Sequence, residues 1–282
     1  MRFLNWIMKS KIFFLPILIL IMCHCSVIAF PQSMAVSYEL NYKYDPAQND
    51  TKKINYVLDI FSHKSVFRTE MRRTSDSLIG KTGYGLGYNT NAVYELYFSK
   101  ELDKKSYRKY FVSPLSRDRF FINIMDELKW QILRETLIIG NYKCQKAEVQ
   151  YAGRHWSAWF TEDISIPEGP YYFHGLPGLI IQIEDDHKDF VFRLTKINKI
   201  NGDSLYETDG GKEINWEQYK KLLQDYFNDP LSSIKASGRK VVTDNGTGGY
   251  QPIDSREFIK NIQKVLLKNN NPIELDHKIN YE

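Results

Sequence analysis

Short runs in which apolar and polar positions alternate dominate the chain from Met34 onward. They are rich in Val, Ile, Tyr, Phe and Thr, the residue types that suit a pleated surface with one buried face. The runs predict strands at 34–44, 55–61, 65–70, 92–98, 107–112, 130–139, 142–151, 155–161, 179–184 and 190–196. Turn formers such as Asp45-Pro46, Gly140-Asn141 and Gly153 punctuate them. Strands that follow one another without helical repeats between them imply an antiparallel meander. The expected class is mainly β (α+β), with a sheet free to curve into a half-barrel.

The period changes near the end of the chain. Over 214–228, Asn215 is placed to cap a helix with Gln218 three residues on, and Ile214 can staple to Tyr219. Tyr219, Leu222, Leu223, Tyr226 and Phe227 then form one apolar face, and Pro230 follows. Over 254–268, Asp254 pairs with Glu257, Ile253 with Phe258, and the face is Phe258, Ile262, Val265 and Leu266. An apolar helix face must pack on something, and the sheet is the available partner. Between these helices, 231–250 is polar and rich in Gly, Ser and basic residues, so it is expected to be a mobile loop.

The first residues follow a different pattern. Arg2, Lys9 and Lys11 precede an apolar run over 12–22, the layout of a secretory signal peptide, with the start at Met1 or Met8. The run is too short to span a membrane as a helix. Val27-Ile28-Ala29 offers small residues for cleavage, giving a 1–29 leader and a single 30–282 domain. Cys23 follows Met22 and Cys25 follows His24, which disfavours lipidation. Cleavage leaves Cys144 as the one thiol, so no internal disulfide can form. It also leaves basic and acidic residues almost balanced, with no global pull toward nucleic acid. The expectation is an exported monomer, periplasmic or secreted, with no transmembrane anchor in the mature chain.

Candidate chemistry is sparse. Gly80-Lys81-Thr82 lacks the earlier glycine of a phosphate loop, and Gly83-Tyr84-Gly85-Leu86-Gly87 misses the dinucleotide fingerprint, so both are read as turn glycines. No nucleophile elbow occurs. Cys144 is read as a buried, inert thiol. His155, His174 and His187 are too far apart in sequence for a compact metal motif. With Glu184, Asp185 and Asp186 they form the single metal or hydrolase alternative, against a reading of 184–189 as a charged hairpin tip. No cofactor is expected.

The informative stretch is 130–183. It holds Cys144, then Trp156-Ser157-Ala158-Trp159-Phe160, then Pro167-Glu168-Gly169-Pro170, and ends in Gly175-Leu176-Pro177-Gly178-Leu179-Ile180. Trp156 and Trp159 fall on opposite faces of a strand. Pro167 and Pro170 stiffen the link that follows. Pro177 followed by Gly178 suits a type II turn, with positive φ at Gly178, and Gly175 permits a second unusual dihedral. Leu179, Ile181 and Ile183 then point to one face. Here the chain resembles the GLPGLI family, named for that hexapeptide, which stands unaltered at 175–180. The resemblance implies a small exported bacterial envelope protein, mostly β, and no catalytic residues. The motif residues are read as a structural or binding element.

Two functions are carried forward. The first is a non-enzymatic envelope protein that binds an apolar ligand or a protein partner, since a curved sheet under helices can enclose a cavity and 19 Tyr, 16 Phe and 5 Trp are available to line it. The alternative is a hydrolase or metal-binding protein using His155, His174 and the acidic residues Glu184, Asp185 and Asp186.

Overall fold

The computed structural model describes residues 33–48, 50–61, 64–86, 95–200, 210–238, 240–244 and 246–282. The expected leader and the first residues of the expected 92–98 strand lie outside them. Ser33 to Glu282 form one compact unit.

Eleven strands supply its frame: β1 (Met34–Tyr42), β2 (Lys52–Phe61), β3 (Lys64–Thr69), β4 (Tyr97–Glu101), β5 (Ser106–Val112), β6 (Arg119–Asn123), β7 (Gln131–Ile139), β8 (Tyr142–Tyr151), β9 (Arg154–Thr161), β10 (Leu179–Asp185) and β11 (Phe190–Lys199). The short β12 (Lys212–Glu213) joins them. The sheet order is β12-β6-β5-β4-β3-β2-β1-β11-β10-β9-β8-β7. It is therefore two meanders, β1 to β6 and β7 to β11, stitched together by antiparallel pairing of β1 with β11. Among the described residues, the one parallel pair is β12 with β6.

The sheet stays open, with edges at β12 and β7, but it is strongly curved. Eight strand spacings separate β5 from β8 in the sheet order, roughly 38 Å if the sheet were flat. Yet the Tyr172 ring lies 5.5 Å from Tyr107 on β5 and 4.8 Å from Tyr151 on β8. Only a half-barrel brings those strands to the same side chain.

Two C-terminal helices form as their apolar periods require: α2 (Trp216–Asn228) and α4 (Ser255–Lys268). The capping box of α2 is complete, with Asn215 accepting from the Gln218 amide and Gln218 accepting from that of Asn215. Asp254 caps α4 by accepting from the amides of Arg256 and Glu257. The stretch expected as a mobile loop instead carries α3 (Ser232–Ala236) and a hairpin of β13 (Val242–Asp244) with β14 (Tyr250–Pro252). Polar composition hid both, because neither needs an apolar face.

A further helix, α1 (Glu70–Thr82), replaces the expected turn around Gly80. Thr69 caps it by accepting from the Arg72 amide, and Gly83 ends it at φ 79°, donating to Ile79. Its buried residues are Arg72, Ser75 and Asp76, so no apolar stripe announces it. Ion pairs hold it instead. Arg68 on β3 reaches Asp76 at 2.7 Å and Asp59 on β2 at 3.2 Å, and Arg73 reaches Asp59 at 2.9 Å.

Candidate functional site

Within the 130–183 stretch, β7 to β9 and β10 form part of the sheet wall, and the segment between β9 and β10 plugs one end of the half-barrel. On β9, Trp156, Ala158 and Phe160 are fully buried while Trp159 sits half-buried on the opposite face, as alternation requires. Cys144 is also buried, its thiol donates toward the Tyr142 carbonyl, and burial pushes the thiol pKa up. That disfavours the thiolate a nucleophile would need.

After β9 the chain folds into the barrel. Pro167 is exposed, but Glu168, Gly169 and Pro170 are buried, and Tyr171, Tyr172 and Phe173 fill the interior. Phe173 packs 4.6 Å from Trp156, and Tyr171 lies 5.0 Å from Phe98 on β4. A Cβ at Gly169 would lie 2.6 Å from the Ile180 side chain and 2.9 Å from the Phe173 carbonyl, so only glycine fits.

The hexapeptide corrects one expectation. Gly175 does take a positive φ of 91°, but Gly178 does not. Gly178 donates to the Leu176 carbonyl at 2.8 Å, closing a three-residue turn around the exposed Pro177. Its lack of a side chain serves close approach instead, since a Cβ there would stand 2.0 Å from the Thr161 carbonyl oxygen. Leu176, Leu179 and Ile180 are buried, and the Tyr38 hydroxyl donates to the Ile180 carbonyl.

A buried ion pair that sequence reading missed fixes this plug to the opposite wall. Lys100 on β4 and Glu168 are both within 1% of full burial, 2.5 Å apart. Glu168 also accepts from Ser65, and Lys100 donates to the Gly169 carbonyl. Burial pulls the Lys100 pKa down, with Glu168 opposing that effect. His174 donates from Nδ1 to the Tyr172 carbonyl at 2.6 Å, and burial together with Lys100 holds its pKa below the ordinary value.

The residues named as a possible metal or hydrolase site separate. His155 meets Asp186 at 2.8 Å and Glu148 at 3.6 Å on the outer surface, where Asp186 is largely exposed. His174 packs instead on Tyr107 and Tyr172 inside the plug. Among the described residues, no group of three or more His, Cys, Asp or Glu is arranged to hold a metal ion. The hairpin tip is not simply solvated either. Asp185 and Asp189 both bind Arg154, which also donates to Asn271 and to the Pro272 and Ile273 carbonyls. That cluster straps the C-terminal segment across the barrel end.

The end away from the plug, which that C-terminal segment borders, is hollow. A cavity of about 750 Å³ lies there, walled by the end of β1 (Leu40, Tyr42), the start of β2 (Ile54, Tyr56), the end of β5 (Tyr110, Phe111) and the start of β11 (Phe190). Helix α2 contributes Tyr219, Leu223 and Tyr226, and α4 contributes Ile262, Val265 and Leu266. The C-terminal segment from Asn269 onward closes one side. Its Glu274 accepts from Lys109 at 2.5 Å and from the Tyr171 hydroxyl. Lys109 and Glu274 line the cavity whereas Tyr171 belongs to the plug, so this buried trio partitions the two ends. No helix among the described residues is long and apolar enough to cross a membrane.

Residues 151–182 match the model of a family described as a protein of unknown function, Porph_ging. No curated protein matches the chain. Among solved structures it is similar to PNGF-II, seen in C2 and P21 crystal forms, at 14% identity over 68% of this chain, with TM-scores of 0.48 and 0.46. The chain spans about a third of the length of those chains, 32% and 33%.

Proposed function

We propose that this is an exported, non-enzymatic envelope protein of the GLPGLI family that binds an apolar ligand in the hollow end of its half-barrel. The cavity of about 750 Å³ carries the reading. Its volume lies within the roughly 300–1,000 Å³ of small-molecule sites, and its wall joins apolar side chains from sheet and helices. Each methylene moved from water into such a space is worth about 0.8 kcal/mol, which lets a carrier hold an acyl chain in an aqueous compartment. The charged and apolar leader supports residence in the periplasm or outside the cell. The GLPGLI hexapeptide falls inside the 151–182 match, which supports the family grouping.

The test is native mass spectrometry of protein purified from its own envelope, joined to binding of a neutral fluorescent apolar probe. The expected result is a co-purified lipid-like mass and saturable probe binding, both lost in Ile54→Trp and Leu223→Trp, which fill the cavity. A clean apo protein that also fails to bind the probe would sink the reading.

A further inference from the structure

Several charged groups around the cavity have partners of opposite charge or hydrogen-bond partners. Lys109 is held by Glu274, Arg72 by Asp76, and Glu95 accepts from the Thr69 hydroxyl. At the rim, where the β1–β2 turn meets the end of α4, the arrangement differs. Tyr44 and Lys52 both line the cavity, and the Lys52 ammonium stands 4.1 Å from the centre of the Tyr44 ring. Lys268, the last residue of α4, places its own ammonium 5.5 Å from the same ring. Its neighbour Asn269 lines the cavity.

Two cations from different elements thus converge on one aromatic ring at the mouth of an apolar space. Neither is ion-paired with a carboxylate among the described residues. The nearby Lys43 is engaged with Asp189 at 3.6 Å and with the His187 carbonyl. The ring face attracts each ammonium, but the two ammoniums repel each other, and an anion seated beside them relieves that repulsion. At a rim the charges stay partly hydrated, so such an anion is gained without the desolvation cost of a buried pair.

We infer that the ligand is an anionic amphiphile, a carboxylate or phosphate headgroup on an acyl chain, bound tail-first with its headgroup at Lys52 and Lys268. This rests on the apolar-ligand reading and adds polarity and direction to it. The aromatic and aliphatic wall takes the chain, and the Lys109–Glu274 pair limits how deep it reaches.

The experiment displaces N-phenyl-1-naphthylamine, a neutral probe, from the mature protein at low ionic strength. Dodecanoate, dodecyl phosphate and dodecanol serve as competitors of equal chain length. The expected result is that at least one anion displaces the probe at about fivefold lower concentration than the alcohol, the gain of two rim charges. The better anion identifies the headgroup as carboxylate or phosphate. In the Lys52→Gln/Lys268→Gln double variant the probe should still bind saturably and the three competitors should converge, and added salt should erase the wild-type preference. Equal displacement by all three in the wild type, or a preference that survives in the double variant, overturns the headgroup assignment and leaves the cavity reading standing. A wild-type protein that never binds the probe overturns both.

Discussion

The two ends of the half-barrel are built from the same strands and filled in opposite ways. At one end the chain's own 167–178 segment enters the interior, and Tyr171, Tyr172, Phe173, Trp156 and Phe160 leave it solid. At the other, α2, α4 and the C-terminal segment bridge the rim and enclose about 750 Å³. The difference lies in what covers each end. A short, glycine-notched segment can follow the inner wall closely, as the 2.0 Å and 2.6 Å clearances at Gly178 and Gly169 require. Helices are stiff cylinders about 10 Å across and span a concave surface without filling it. The motif end is therefore closely packed, and the other end keeps its cavity.

That contrast can be broken most decisively at the plug. Glu168→Ala leaves the Lys100 ammonium buried without its counter-charge and should cost about 3–5 kcal/mol in urea unfolding. Lys52→Gln at the hollow end should change stability by no more than about 0.5 kcal/mol. Comparable losses in the two variants would refute the division. A smaller effect sharpens it. Ala158→Leu adds volume where none is free and should cost about 1–3 kcal/mol, whereas Leu223→Phe grows into open space and should cost less than about 1 kcal/mol, read from thermal or urea midpoints.

The smallest effect concerns pH. Burial, aided by Lys100, keeps the His174 imidazole below its ordinary value of 6.5 in the folded protein. The unfolded chain then binds the proton more readily, so the contribution of His174 is fully favourable above 6.5 and declines as pH falls from there toward the folded value. His174→Gln should flatten that part of the stability curve, measured as urea midpoints between about pH 7 and about pH 5. An unchanged slope would mean that the plug does not exclude water from this ring.

Much of this was legible from local pattern. Alternation placed most strands of the two meanders, although it missed β6 and set β4 several residues early; it put Trp156 inside and Trp159 across from it, and the Asn215-x-x-Gln218 spacing announced the α2 cap. These features depend on neighbours in sequence, so sequence carries them. Helix α1 escaped because ion pairs with β2 and β3 bury it, and such pairs leave no apolar period. The same holds for Gly178, whose turn chemistry suggested a positive φ when the real constraint is the Thr161 carbonyl of the adjoining strand.

The sequence by itself determined a β-rich chain with two capped C-terminal helices, a single thiol in the domain and a glycine-proline motif that must turn. Only the tertiary structure decided that the sheet curves until β5 and β8 share Tyr172, that Lys100 and Glu168 lock the plug, and that Lys52 and Lys268 meet at Tyr44. The physical reason is range. Propensity and periodicity act over one element, whereas curvature, buried charge pairing and an enclosed cavity depend on residues brought together from distant parts of the chain.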